Sequence, residues 1–183
     1  STGASDISEI HKAIKTIKQK SNAEICIMHC ILNYPTENHN ANLLMIRHLK
    51  KEFPKTTIGY SDHTLPDKNM NILTSAYLMG AKIIEKHFTS NKKLKGNDHY
   101  HSMDVSDLKI FNKKLHYIKK ILGTSKSKNF IKDELVSRKH ARRSLVASRN
   151  LEKGYKLKKS DIICKRPGTG ISPYHFNKII GKK

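Results

Sequence analysis

Ile58-Gly59-Tyr60-Ser61-Asp62-His63-Thr64 and Ile83-Ile84-Glu85-Lys86-His87-Phe88-Thr89 are two short apolar runs, each closing on a histidine, with one helix-length amphipathic stretch between them. That order reads as strand, helix, strand, the unit from which parallel sheets are built. Neighbouring parallel strands lie about 4.8 Å apart, so two imidazoles at equivalent strand ends can share one divalent cation. His63 and His87 are the candidate metal ligands, half of a coordination sphere.

The alternation continues on both sides. Asp6 with Glu9 has the pattern of a capping box, and Ile7, Ile10, Ile14 and Ile17 then recur at helical spacing. Glu24 to Cys30 is a compact apolar run of strand length, ended by the turn-like Asn33-Tyr34-Pro35-Thr36. Leu43, Ile46, Leu49 and Phe53 mark a second helix closed by Pro54, and Thr56 to Ser61 a second strand. Met70, Leu73, Ala76 and Tyr77 form the inner stripe of a third helix ending near Gly80, and Lys82 to Phe88 a third strand. A polar loop leads to a long helix carrying Leu108, Phe111, Leu115, Ile118 and Leu122, stopped by Gly123. Four helices alternating with three strands predict a parallel α/β architecture over residues 1–123. Asn33 to Thr36, Ser61 to Thr64 and His87 to Thr89 all fall at carboxyl ends of strands, the edge where α/β folds build their active sites.

Beyond Gly123 the periodicity is lost. Residues 124–142 are charged and aperiodic, which predicts a linker or extended arm. Residues 143–183 predict a small β-rich module: Ser144 to Arg149 alternates like a strand, Glu152-Lys153-Gly154 reads as a turn, and Asp161 to Lys165 leads into Arg166-Pro167-Gly168-Thr169-Gly170-Ile171.

Composition sets bounds. The chain has 183 residues, 37% of them hydrophobic, and no apolar run approaches the roughly 20 residues that span a bilayer. No charged leader followed by an apolar segment is visible, and three cysteines, Cys26, Cys30 and Cys164, cannot all pair with one another, so a cytoplasmic protein with reduced thiols is expected. A formal charge of +21 raises the question of nucleic acid. The lysines are scattered over helix faces and tails without a helix-turn-helix, zinc finger or aromatic-basic platform, so the charge reads as solvated faces with some attraction for anionic metabolites. A non-catalytic polyanion-binding protein is the alternative from a different class.

Ser1-Thr2-Gly3, Asn33-Tyr34-Pro35-Thr36, Gly59-Tyr60-Ser61-Asp62-His63-Thr64, Glu85-Lys86-His87-Phe88, Asp98 and Lys165-Arg166-Pro167-Gly168-Thr169-Gly170-Ile171 resemble, in order, the motif series of the N-acetylneuraminate (sialic acid) synthase family. The series runs over nearly the whole chain. The resemblance implies a (β/α)8 TIM barrel joined by a linker to an antifreeze-like (SAF, β-clip) domain. A full barrel needs about 250 residues, so residues 1–123 are expected to run from the end of the fifth strand, at Ser1-Thr2-Gly3, to the eighth helix. The first four strands, with the family's glutamate and substrate-binding lysines, would lie outside this sequence, the SAF domain would stop early, and the isolated fragment would be inactive.

The same resemblance implies condensation of phosphoenolpyruvate with N-acetylmannosamine or a related acylamino sugar to a nonulosonic acid, with release of phosphate. Legionaminic or pseudaminic acid synthases and a spore-coat polysaccharide relative are alternatives within the family. His63, His87 and Asp98 are implied as the catalytic set, His63 and His87 holding Mn²⁺ or Mg²⁺. Ser1 and Ser61 are implied near phosphoenolpyruvate, and Tyr34 and Asp98 at the sugar. Asn33 joins the substrate-binding set although many relatives place a small polar residue one step earlier, where this chain has Leu32. Arg166 is implied to reach the sugar's N-acyl group in a partner subunit, which requires a domain-swapped homodimer.

Plainer readings stand beside these. Asp98-His99-Tyr100-His101 admits a second His-x-His site, but is taken as a loop in which Asp98 alone faces substrate. Asp62 is as readily an orienter of His63 as a chemical group. Cys26 and Cys30 share a strand face and read as core thiols, and Arg142-Arg143 as solvated linker.

Overall fold

The computed structural model describes residues 1–183, which divide into two compact units, Ser1–Gly123 and Thr124–Lys183. Helix α1 (Ile7–Lys20) starts where the Asp6 carboxylate accepts the Glu9 N–H and the Glu9 carboxylate accepts the Asp6 N–H. These two bonds satisfy donors that a helix start otherwise leaves unpaired. Ile7, Ile10 and Ile14 then lie against the core.

Strands β1 (Cys26–Cys30), β2 (Thr57–Asp62) and β3 (Ile83–Lys86) form one parallel sheet in that order. Their register places Cys30 beside Ser61 and Ser61 beside Glu85. Helices α2 (Leu44–Glu52), α3 (Asn71–Met79) and α4 (Val105–Leu122) supply the crossovers and the following layer. Ile27, Ile58 and Tyr60 from the strands pack with Ile46, Leu49, Leu73, Ala76 and Phe111 from the helices. Each large apolar side chain so buried contributes about 1.5–3 kcal/mol. Strand residues alternate in direction, so Met28, Gly59, Ser61 and Glu85 occupy the opposite face. A side chain at Gly59 would drive its Cβ into Met28 Sδ and to 2.9 Å from the Ile83 carbonyl oxygen, so that position requires glycine.

Ser1-Thr2-Gly3, expected at a strand end, forms no strand; the Thr2 N–H and hydroxyl both donate to the Met28 carbonyl, at 2.9 Å each. The third strand is shorter than the apolar run, and Phe88 instead bridges to Met103.

The second unit also departs from expectation. Residues 124–142 are not simply an extended arm: a 3₁₀ turn over Lys132–Glu134 runs into helix α5 (Leu135–Ala141). Glu134 caps the start of the 3₁₀ turn by accepting the Ile131 N–H at 2.9 Å, and the Arg138 guanidinium lies 4.2 Å from the centre of the Phe130 ring. No residue of α5 is buried, which is why no apolar period announces it. Strands β4 (Ser144–Ala147) and β5 (Ile162–Lys165) pair antiparallel, and a short helix α6 (Phe176–Ile179) follows. The Ser144 hydroxyl donates to the Pro167 carbonyl and accepts the Gly170 N–H, tying the Arg166–Ile171 segment to β4. Asp161 is buried, receives Arg149 Nη2 at 2.9 Å and the Lys158 N–H at 2.9 Å, and is held below the usual carboxylate range first by that backbone bond and then by Arg149.

Candidate functional site

At the carboxyl edge of the sheet the chain turns four times in a small space. Beyond β1, Asn33-Tyr34-Pro35-Thr36 is fixed by the Thr36 N–H donating to the His63 carbonyl at 2.8 Å and by the Thr36 hydroxyl donating to the Asn33 carbonyl. Beyond β2 stands His63, beyond β3 His87. The fourth segment, residues 98–103, is laced to the end of β3. The Met103 N–H donates to the His87 carbonyl and the Thr89 N–H to the Met103 carbonyl, both at 2.8 Å, while His99 Nδ1 lies 2.8 Å from the Thr89 hydroxyl.

His63 and His87 meet edge to face, their ring centres 5.3 Å apart. His63 is buried, and its Nδ1 lies 2.9 Å from the Ile31 carbonyl oxygen. A carbonyl only accepts, so Nδ1 carries the proton and Nε2 keeps its lone pair for a ligand. Tyr34 lies over the group, its ring centre 4.2 Å from that of His63, 5.8 Å from His87 and 5.9 Å from His101. His87 Nδ1 is 3.9 Å from Asp98 Oδ1, with Asp98 at the solvent side. His87, Asp98 and His101 each offer a donor atom, and these atoms all lie within 4.8 Å of one another. Burial, and then the neighbouring His87, hold the His101 imidazole below its ordinary pKa. Two imidazoles and a carboxylate are a donor set suited to a divalent cation.

The expected residues fall in different places. Ser61 is on the same strand face as His63, and its hydroxyl donates to Glu85 Oε1 at 2.7 Å. Asn33 is exposed and enters the turn through its carbonyl. Ser1 is exposed, one residue from Thr2, which is bonded to β1. Arg166 belongs to the second unit, where its Nε donates to the Ala141 carbonyl at 3.0 Å. Asp62 does not orient His63. It points to the helix side, accepts the Tyr60 hydroxyl, the Thr64 N–H and the Thr64 hydroxyl, and pairs with Lys86 at 2.7 Å. Burial and the Asp62 carboxylate drive the Tyr60 phenol far above its usual range. The loop reading of residues 98–101 missed His101, which the turn carries to His87; His99 is the member of the His-x-His pair that turns away.

The protein-family model described as the NeuB family matches residues 1–127, and the SAF domain model matches residues 142–183. The chain belongs to the NeuB family. It is 38% identical over 187 residues to an N,N'-diacetyllegionaminic acid synthase of Legionella pneumophila, covering all of this chain and 51% of that protein. It is 32% identical over 206 residues to an N-acetylneuraminate-9-phosphate synthase of Drosophila melanogaster, covering all of this chain and 55% of that one. The chain thus spans about half the length of the curated relatives it matches. Among solved structures, the N-acetylneuraminic acid (sialic acid) synthetase of Leptospira borgpetersenii in complex with citrate superposes with a TM-score of 0.65 at 34% identity, covering 74% of this chain and 45% of that one. The NeuB-family unit is accordingly part of a TIM barrel, and the second unit an SAF domain. No helix is long and apolar enough to cross a membrane.

Proposed function

We propose that this chain carries the metal and sugar end of a synthase that condenses phosphoenolpyruvate with N-acetylmannosamine or a related N-acyl amino sugar, releasing phosphate. The observation that carries the reading is the pairing of His63 and His87 at the ends of adjacent parallel strands, ring centres 5.3 Å apart, with the His63 proton committed to Ile31. Mn²⁺ or Mg²⁺ held by this pair would act as a Lewis acid on the open-chain sugar's aldehyde. The Ile31 carbonyl fixes the His63 tautomer, and Tyr34 walls the imidazoles from solvent on one side. Asp98 stands at the mouth to hold sugar hydroxyls, and Asn33 lies at the rim of the same turn. Ser61, with Glu85 behind it, and Ser1 take the phosphoenolpyruvate side. Arg166 holds the N-acyl group from the SAF domain of a partner subunit, in a domain-swapped homodimer.

The test is phosphate release from phosphoenolpyruvate by the full-length protein, across a panel of N-acyl hexosamines. Metal-dependent release with one of them is expected, and the similarity to the L. pneumophila N,N'-diacetyllegionaminic acid synthase makes legionaminic precursors the first alternative. His63→Ala and His87→Ala should each abolish turnover. Wild-type turnover in either variant would overturn the assignment.

A further inference from the structure

His101 has no exposed surface, and neither of its ring nitrogens has a hydrogen-bond partner. A buried polar group left unpaired is costly, so an imidazole sealed in this way calls for a partner. Its place is fixed rather than incidental. Met103, two residues on, is bonded through its backbone to His87 and Thr89, and the Ser102 hydroxyl donates to the Asp98 carbonyl within the turn. The His101 ring centre lies 4.9 Å from that of His87, and Tyr34 and Tyr100 pack around it.

We propose that His101 is a third histidine ligand of the divalent cation, after His63 and His87 and alongside one oxygen of Asp98, and that it biases the site toward cations that favour imidazole. The inference rests on the reading above that His87 faces a metal. An ion holds nitrogen and oxygen donors at about 2.0–2.2 Å, so opposed donors lie up to about 4.4 Å apart. Donors that are not opposite one another lie about 3–3.6 Å apart, so the three here, all within 4.8 Å of one another, draw in by up to about 1 Å to share one ion. Asp98 keeps its second oxygen for the sugar. His63, its Nε2 unprotonated, stands 5.3 Å from His87, ring centre to ring centre, as a further donor. Mg²⁺ prefers oxygen and gives up water reluctantly, whereas imidazole suits the later first-row ions. Each imidazole added therefore shifts preference away from Mg²⁺.

The experiment is calorimetric titration of the metal-stripped full-length protein with Co²⁺ and with Mg²⁺, alongside visible absorption of the Co²⁺ form. His101→Phe keeps a planar ring in the pocket and removes both nitrogens; His101→Ala guards against a misfit of the larger ring, with circular dichroism confirming the fold. Loss of at least about tenfold in Co²⁺ affinity, a smaller loss for Mg²⁺ and an altered Co²⁺ spectrum are expected in both variants. Unchanged affinity and spectrum overturn the third ligand. His87→Ala separates the two readings. If it abolishes Co²⁺ binding while the His101 variants bind like wild type, the metal site stands and this inference fails; if wild-type protein takes up no Co²⁺, both fail.

Discussion

Lys86→Met removes a charge from beneath the candidate site while leaving most of the stem that fills the space. Lys86 Nζ donates to Asp62 Oδ2 at 2.7 Å and to the Thr64 carbonyl at 2.6 Å, and both side chains of the ion pair are 1% exposed. The substitution leaves the Asp62 carboxylate with the Tyr60 hydroxyl at 2.9 Å, the Thr64 N–H at 3.0 Å and the Thr64 hydroxyl at 3.1 Å, but without a counter-charge. Breaking a buried pair by removing one partner costs about 3–5 kcal/mol. Three surviving donors offset part of that, so a loss of about 3 kcal/mol is expected. At a urea dependence of about 2 kcal/mol per molar, the unfolding midpoint of the full-length protein should fall by about 1.5 M. Adding Asp62→Asn removes the stranded charge and keeps an acceptor for Tyr60 and Thr64, so the double variant should recover at least about 1 kcal/mol relative to simple addition. Asp62 and Lys86 immediately precede His63 and His87, so Co²⁺ affinity should fall with Lys86→Met as well. A loss below about 1 kcal/mol, or strictly additive effects, would refute the reasoning.

Arg166→Ala should raise the KM for the sugar while leaving kcat and the barrel unit's unfolding unaltered; an unchanged KM removes Arg166 from the sugar site. Gly59→Ala forces a Cβ against Met28 and the Ile83 carbonyl, and should cost about 1–3 kcal/mol, read as a lower thermal midpoint; a neutral effect would mean β2 and β3 part more easily than their register suggests. Asp161, whose folded pKa is depressed, stabilises the SAF unit above its unfolded value of about 3.9 and ceases to do so as pH falls through the lower folded value. Acid unfolding of that unit should lose part of its pH dependence below about 4 in Asp161→Asn, and an identical profile would count against it. The isolated 183-residue chain, with Ile83 45% exposed on the sheet face away from the helices, should be inactive and unfold without a sharp transition; cooperative unfolding as a monomer would contradict this.

The elements that bury a face were legible in the residues. The isoleucines of α1 recur because one side of that helix meets the core, and Asp6 and Glu9 announce its start; Gly80 and Gly123 stand as helix C-caps where the periodicity ends. Helix α5 carries no such record because it buries nothing. At the site, His63 and His87 could be paired from the lengths of the strands that end in them. His101 could not, because it is brought to His87 by backbone bonds between Met103 and the end of β3, a register that no local pattern encodes. Of the two roles open to Asp62, the pleat disfavours orienting His63: consecutive strand residues point to opposite faces, so a residue adjacent to His63 is poorly placed to touch it.

That pleat has an evolutionary corollary. The charge clamp of Asp62 and Lys86 and the imidazoles of His63 and His87 are neighbours in the chain yet belong to opposite faces of the sheet, one against the helices and one toward the rim. Substitutions can therefore accumulate on one side of the sheet while its mechanical fastening on the other is left alone, a division of labour that lets the rim be altered without loosening the scaffold.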